Sequence, residues 1–191
     1  MLSHDPVDSR EFFNRVLPEL FSDPQLLAGR TSRLSVCFCV GEAAYSLRIK
    51  DGRLLVNPGR DPEALVTLAL AEADFGALFS GVTTELRDQR AGLALQILLA
   101  EEAALVELRE LQGGVEFAIK DGGSVRRLLL SLGQAEPDWS QAECVITTEL
   151  QDFLLVQKGE AHPVELMMQG KLQIEGDPSL LMLLAPLFTS S

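Results

Sequence analysis

The chain has 191 residues, 47% of them hydrophobic, enough for one ordinary domain or two small ones with a genuine core. Lys and Arg total 16 against 28 Asp and Glu, a formal net charge of −12, which argues against a surface that tracks nucleic-acid phosphates and against electrostatic docking on anionic lipid. The three cysteines include Cys37 and Cys39, which alternate within an apolar run and so face the same way on a strand; reduced core thiols are expected, since Cys144 and two isolated histidines offer no metal-ligand spacing.

From Asp8 to Gly29, Phe12, Phe13, Val16, Leu17, Leu20 and Phe21 recur at helical spacing, interrupted or reset by Pro18 and Pro24. Leu34–Val40 and Tyr45–Lys50 are dense in β-formers and read as a hairpin, and the turn signal Asp51-Gly52 leads into a third strand at Arg53–Val56. Asn57-Pro58-Gly59 breaks the chain before a fourth strand at Ala64–Leu70. Phe75, Leu78 and Phe79 fit a short helix capped by Asp74 and stopped by Gly81. A fifth strand is expected at Leu93–Leu99 and a helix at Glu101–Leu111, with Leu105, Leu108 and Leu111 inward.

After Gly113-Gly114 the pattern restarts. Val115–Lys120, the turn at residues 121–123 and Val125–Leu132 form a second hairpin. A third strand is missing or eroded there, because GQAEPDWSQ is turn-like. Cys144–Leu150 is the fourth strand, Asp152–Lys158 a short helix for which Asp152, matching Asp74, is the expected cap, Lys171–Glu175 the fifth strand, and Asp177-Pro178 opens a closing helix, Ser179–Phe188, without a charged residue. Asp74-Phe75, Gly81 and Gly92 precede Asp152-Phe153, Gly159 and Gly170 by the same 78 positions, so duplication of a strand-helix unit is expected. IKDG at Ile49–Gly52 and Ile119–Gly122 repeats at an offset of 70, which reads as turn chemistry and not as register.

These residues resemble the sterol carrier protein 2 family: a strand, then Asp-Phe with a glycine seven positions on, then MMQGKLQIEGDPSLLMLLAPL and an apolar terminal helix. AYSLRIKDGRLLVNPG and LVTLALAEADFGALFSG in the first copy are similar to the central strands and first helix of that family, and FFNRVLPELFSDPQLLAG to the N-terminal helix of its bacterial stand-alone members. The resemblance implies an α+β fold, a mainly antiparallel sheet of about five strands per copy covered by helices around an apolar tunnel. It also implies no catalysis. Two tandem units are expected, residues 1–112 as N-terminal helix and scaffold unit and residues 113–191 as ligand unit, with fusion of the two into one body left open.

Carried onto this chain, the cavity-lining segments map to Val164, Leu166, Met167, Met168, Leu172, Ile174, Leu180, Leu181, Met182, Leu184, Leu187 and Phe188, with Phe153 and Val156 added. The first copy departs from the pattern: LRDQRA before Gly92 lacks an apolar pair like Met167-Met168. The methionines suit either a cavity that accepts varied apolar shapes or an irregular core. The uncharged terminal helix is open to three readings: plain core, a ligand-facing lid, or a dimer contact.

No G-x-S-x-G, P-loop, G-x-G-x-x-G or H-E-x-x-H motif occurs, so no catalytic residue, cofactor or metal ligand is assigned. His4 and His162 read as surface or turn residues, and the acidic pair Glu101-Glu102 as a solvated helix face. The polar start MLSHDPVDSR and the lack of an apolar run of about 20 residues lead to the expectation of a soluble cytoplasmic protein without stable membrane insertion. The expected function is non-enzymatic binding or transfer of a fatty acyl, sterol, isoprenoid or similar long apolar ligand. The alternative is an interaction or scaffold protein with a closed pocket, self-associating as a homodimer or docking a partner enzyme through its terminal helix.

Overall fold

The computed structural model describes residues 8–22, 25, 27–28, 35–79, 111–133, 136–158 and 160–180. The expected strand at Leu93–Leu99, the helix at Glu101–Leu111 apart from its last residue, Gly81, Gly92 and Gly159 lie outside these residues, as does the closing helix beyond Leu180.

The described strands are β1 (Ser35–Val40), β2 (Ala43–Lys50), β3 (Arg53–Pro58), β4 (Val66–Leu70), β5 (Gly113–Asp121), β6 (Ser124–Leu132), β7 (Ala142–Glu149) and β8 (Leu172–Gly176). They form one 8-stranded sheet in the order β3-β2-β1-β4-β6-β5-β7-β8. Two pairings, β1 with β4 and β5 with β7, are parallel; the others are antiparallel. The fold class is therefore the mixed, mainly antiparallel one expected from the sequence.

The scheme of pairing recurs. β1 lies between antiparallel β2 and parallel β4, and β5 between antiparallel β6 and parallel β7. Where β2 has β3 on its free edge, β6 has β4. The strand missing from the second hairpin is thus replaced by a neighbour from the first half of the chain, and the backbone donors of β6 are satisfied across that junction. The segment expected to be turn-like holds a short 3-10 turn, Trp139–Gln141, in which Asp138 Oδ1 accepts from Ser140 N at 2.9 Å.

Helical pieces cover one face. α1 (Ser9–Glu11), a π-helical turn (Phe12–Val16) and α2 (Leu17–Leu20) follow one another without a break. Asp8 caps the first piece, its carboxylate accepting from Glu11 N at 2.7 Å. Pro18 does not interrupt the helix: it stands in the first turn of α2, where a missing N–H is tolerated. α3 (Glu72–Phe79) follows β4, and its Glu72 carboxylate accepts from Ser9 N and Oγ at 2.9 and 2.7 Å, tying the N-terminal helix to α3.

α4 (Leu150–Gln157) follows β7, and α5 (Pro163–Met168) precedes β8. The expected aspartate caps are corrected here. α3 begins at Glu72 and α4 at Leu150, so Asp74 and Asp152 sit inside first turns. Each answers a distant cation instead, Asp74 accepting from Arg126 Nη1 at 3.2 Å and Asp152 from Lys171 Nζ at 3.4 Å.

Across the covered face the register aligns Tyr45, Phe38, Leu68, Leu130, Val115 and Cys144 in one row and Val40, Leu70, Leu128, Phe117, Ile146 and Ile174 in the next. All of these belong to or pack on the main core. The opposite face carries the smaller cluster of Cys37, Cys39, Ala64, Ala69 and Leu129. All three cysteines are free and buried, as expected. Cys39 is drawn down to about 7 by a hydrogen bond from Cys37 and by Arg60, whereas burial pushes Cys144 up.

Candidate functional site

The second half of the sheet provides an apolar floor. Val115, Phe117 and Ile119 of β5 face the same way as Leu128 and Leu130 of β6 and as Cys144, Ile146 and Thr148 of β7, because they are direct cross-strand partners. Leu172 and Ile174 of β8 extend it as partners of Thr148 and Ile146. α4 crosses this floor against β5 and β7, and α5 lies against β8. Phe153 of α4 meets Phe117 edge-on, with ring centroids 6.1 Å apart.

α5 is built from a turn signal that the sequence shows only in part. His162 is its cap, Nδ1 accepting from Val164 N at 3.3 Å, and Pro163 occupies the first helical position. His162 is therefore a turn residue, as expected. Lys171 N donates to Leu166 O at 2.9 Å and closes the turn into β8. At the far end of β8, Asp177 accepts from Ser179 N at 2.9 Å and Oγ at 2.6 Å, which holds the carboxyl below its usual range, and residues 179 and 180 are helical, where the sequence places a helix start.

The expected lining residues divide into groups. Leu166 and Leu180 are buried; Phe153, Val156, Leu172 and Ile174 are half-buried. Val164, Met167 and Met168 face water, with 54%, 44% and 86% of their surfaces exposed. Leu180 lies over Gly113, so close that a Cβ there would stand 3.3 Å from Leu180 Cδ2. Leu181, Met182, Leu184, Leu187 and Phe188 lie outside the described residues. The structure thus brings Phe153, Leu172, Ile174 and Leu180 to the main apolar cluster and leaves the three α5 residues exposed to water.

Two polar residues of this region carry no signal in the sequence. Thr148 Oγ1 and Gln157 Oε1 are buried without a hydrogen-bond partner. A threonine in a strand and a glutamine in a helix are ordinary residues; only register and helical phase show which way they face. Among the described residues, Lys171 is paired with Asp152, and Asp121 and Asp74 share Arg126. No group of three or more His, Cys, Asp or Glu among the described residues is arranged to hold a metal ion. Nor is any described helix long and apolar enough to cross a membrane.

Residues 94–189, half of the chain, match the SCP-2 sterol transfer family. Among solved structures the chain is similar to palmitated SCP2L2 from Aedes aegypti, at 18% identity over 48% of this chain and 96% of that one, with a TM-score of 0.38. It is also similar to sterol carrier protein 2 from Aedes aegypti in complex with palmitate, at 22% identity over 54% and 93% of the two chains and a TM-score of 0.37. The apo form of sterol carrier protein 2 from Yarrowia lipolytica matches at 18% identity over 37% and 67%, with a TM-score of 0.31. No curated protein matches the chain. With the family's sequence pattern running from before β5 to the end of the closing segment, the chain belongs to the SCP-2 sterol transfer family.

Proposed function

We propose that this chain is a non-enzymatic, cytoplasmic carrier of a long apolar ligand of fatty acyl, sterol or isoprenoid type, held between the second half of the sheet and α4, α5 and the closing segment. Residues 113–191 are the ligand unit and residues 1–112 a scaffold unit, the two being copies of one ancestral unit whose sheets have fused. The observation that carries this reading is that Phe153, Leu172 and Ile174, which pack on the core in the second half, are only half-buried, while Val164, Met167 and Met168 of α5, which lies against β8, are exposed. Unbranched thioethers at such a surface accept varied apolar shapes. Each methylene of a ligand buried there stabilises the complex by about 0.8 kcal/mol, so affinity needs few polar contacts.

The test is native mass spectrometry of the purified protein followed by lipid extraction, together with uptake of a fluorescent fatty acid. Co-purified lipid or saturable uptake supports the carrier; absence of both ends it. A second reading, docking or self-association through an apolar surface, is favoured by the exposure of Val164, Met167 and Met168. Truncation before Pro178 separates them. A dimer that becomes a monomer with lipid uptake intact assigns the closing segment to a protein contact; loss of uptake assigns it to the ligand.

A further inference from the structure

The sheet face opposite the main core holds a pair of thiols that the carrier reading does not use. Cys37 and Cys39 alternate on β1, so both side chains project from that face, and they are buried at 1% and 6% exposure. Small side chains flank Cys39, whose cross-strand partners are Ala44 of β2 and Ala69 of β4. Cys37 donates a hydrogen bond to Cys39, as does the Arg60 guanidinium. Arg60 comes from the surface, where its exposed side chain also pairs with Glu136 at 3.1 Å. Trp139, the one tryptophan of the chain, packs on the same cluster.

This spacing favours a bridging ion over a disulfide. Residues two apart on a strand have Cα atoms about 6.6 Å apart and carry their Cβ atoms side by side, whereas a disulfide draws its Cβ atoms to about 3.8 Å. Closing the bond would require β1 to shift, and β1 is held in register by β2 on one side and β4 on the other. A metal–thiolate bond of about 2.3 Å lets one ion bridge sulfurs roughly 4 to 5 Å apart, which thiols in hydrogen-bond contact reach with little movement. The number of ligands then selects the ion. Structural zinc takes four, and no group of three or more His, Cys, Asp or Glu suited to a metal occurs among the described residues. Cu(I) is satisfied by two thiolates in line, and soft thiolates select it. The charge fits as well. Counted from two neutral thiols, binding releases two protons and takes up one Cu(I), which leaves a single negative charge beside the Arg60 guanidinium.

We infer that Cys37 and Cys39 form a two-coordinate Cu(I) site, with Arg60 as a positioning residue that offsets its charge. The test is an anaerobic titration of the reduced full chain with Cu(I) against ferrozine, a chromophoric Cu(I) chelator, read alongside Trp139 fluorescence. The wild type should withdraw one Cu(I) per chain from the chelator and quench Trp139 to the same endpoint, whereas an equal amount of Zn(II) should leave the fluorescence unchanged. Cys37→Ser and Cys39→Ser keep the size of each side chain and should each lose the competition. Cys144→Ser, in the main core, should retain it, and Arg60→Gln should weaken it by about tenfold, as loss of a supporting group does at other metal sites. X-ray absorption of the wild-type complex should show copper with two sulfur neighbours, a readout that needs no substitution and so does not depend on any variant folding. Failure of the wild type to compete, retention of Cu(I) by either folded serine variant, or a copper shell of three or more sulfurs overturns the site.

Discussion

The two halves of the sheet share a pairing scheme and differ in how they are covered. Over β1, β2 and β4 the N-terminal helix and α3 close the face with aromatic rings: Phe13 stacks on Tyr45 at 4.4 Å and lies 4.9 to 5.6 Å from Phe38, Phe12 and Phe75, while Phe75 stacks on Phe79 at 5.1 Å. Over β5, β7 and β8 the described residues contain one ring pair, Phe117 with Phe153 at 6.1 Å. Phe13 is fully buried, whereas Phe153 and the aliphatic residues around it are half-buried. Among the described residues, one strand scheme thus carries fully buried aromatic rings in one half and half-buried apolar residues in the other.

The most severe test of this contrast is the pair Phe13→Ala and Phe153→Ala. Phe13→Ala empties a fully packed position and should cost about 3–5 kcal/mol. Phe153→Ala removes a ring that already meets solvent and should cost roughly 1–2 kcal/mol, because less area is returned to water. Urea denaturation of each variant reads the difference as a shift in midpoint. Equal costs would mean that the second half is as tightly closed as the first. Phe153→Ala should in addition weaken uptake of the fluorescent fatty acid, which Phe13→Ala should not do below its own unfolding transition.

A smaller effect probes how β8, the edge strand of the second half, is held. Gly176 has φ of +96°, and a Cβ there would stand 2.3 Å from the backbone oxygen of Glu143, which also accepts from Asp177 N at 3.0 Å. Gly176→Ala should cost about 2 kcal/mol or more through strain and loss of that junction. Gly122, at φ of +55° in the β5–β6 turn, has open space around it, so Gly122→Ala should cost only about 1 kcal/mol. Thermal melts of the two variants separate a steric clash from backbone preference alone; matched melts would remove Gly176 as an anchor of β8.

In the first half the corresponding anchor is electrostatic. Asp61 accepts from Ser35 Oγ at 2.6 Å, Arg48 Nη2 at 2.9 Å and Glu63 N at 3.0 Å. The Ser35 bond above all, with the Glu63 amide and Arg48, holds its carboxyl below the usual range. A folded-state value below the unfolded one contributes stability that is present above the unfolded value, about 3.9, and is lost as pH falls through the folded value. Asp61→Asn should therefore be less stable than the wild type by about 1–2 kcal/mol at neutral pH. The gap should close in acid, and a gap independent of pH would show that shape and not charge is what matters there.

Much of the strand framework was legible because its signals are local. Asp51-Gly52 turns at φ of +51° and +71°, and Gly122-Gly123 at +55° and +100°, conformations that those residues supply and few others tolerate. The Asp177-Pro178 helix start is local too. The junction of β4 with β6 was not legible: it depends on which open edge meets which, and Leu68 and Leu130 carry no mark of being partners. Asp74 and Asp152 were misread as caps for the same reason, since the alternatives, Arg126 and Lys171, are 52 and 19 residues away in sequence. At the site, the apolar composition around residues 164–174 was plain, but not which residues face out. Met167 and Leu166 are equally apolar neighbours, and helical phase alone leaves one exposed and the other buried.

That phase sets the subtlest prediction. Met168 is 86% exposed, so Met168→Gln removes no packed atoms and should change stability by less than about 0.5 kcal/mol. Leu55, on the edge strand of the first half, is 39% exposed and serves as its counterpart. If the second half alone admits the ligand, Met168→Gln should slow or weaken fluorescent fatty acid uptake by a few-fold, and Leu55→Gln should leave it unchanged. Stopped-flow uptake at matched protein concentration distinguishes the two. A few-fold loss in Leu55→Gln as well would place ligand access on both halves, and the different cover over the two would then have no consequence for binding. If neither variant moves uptake while Met168→Gln abolishes self-association, the rim of α5 is a contact between proteins and the ligand enters elsewhere along the apolar floor.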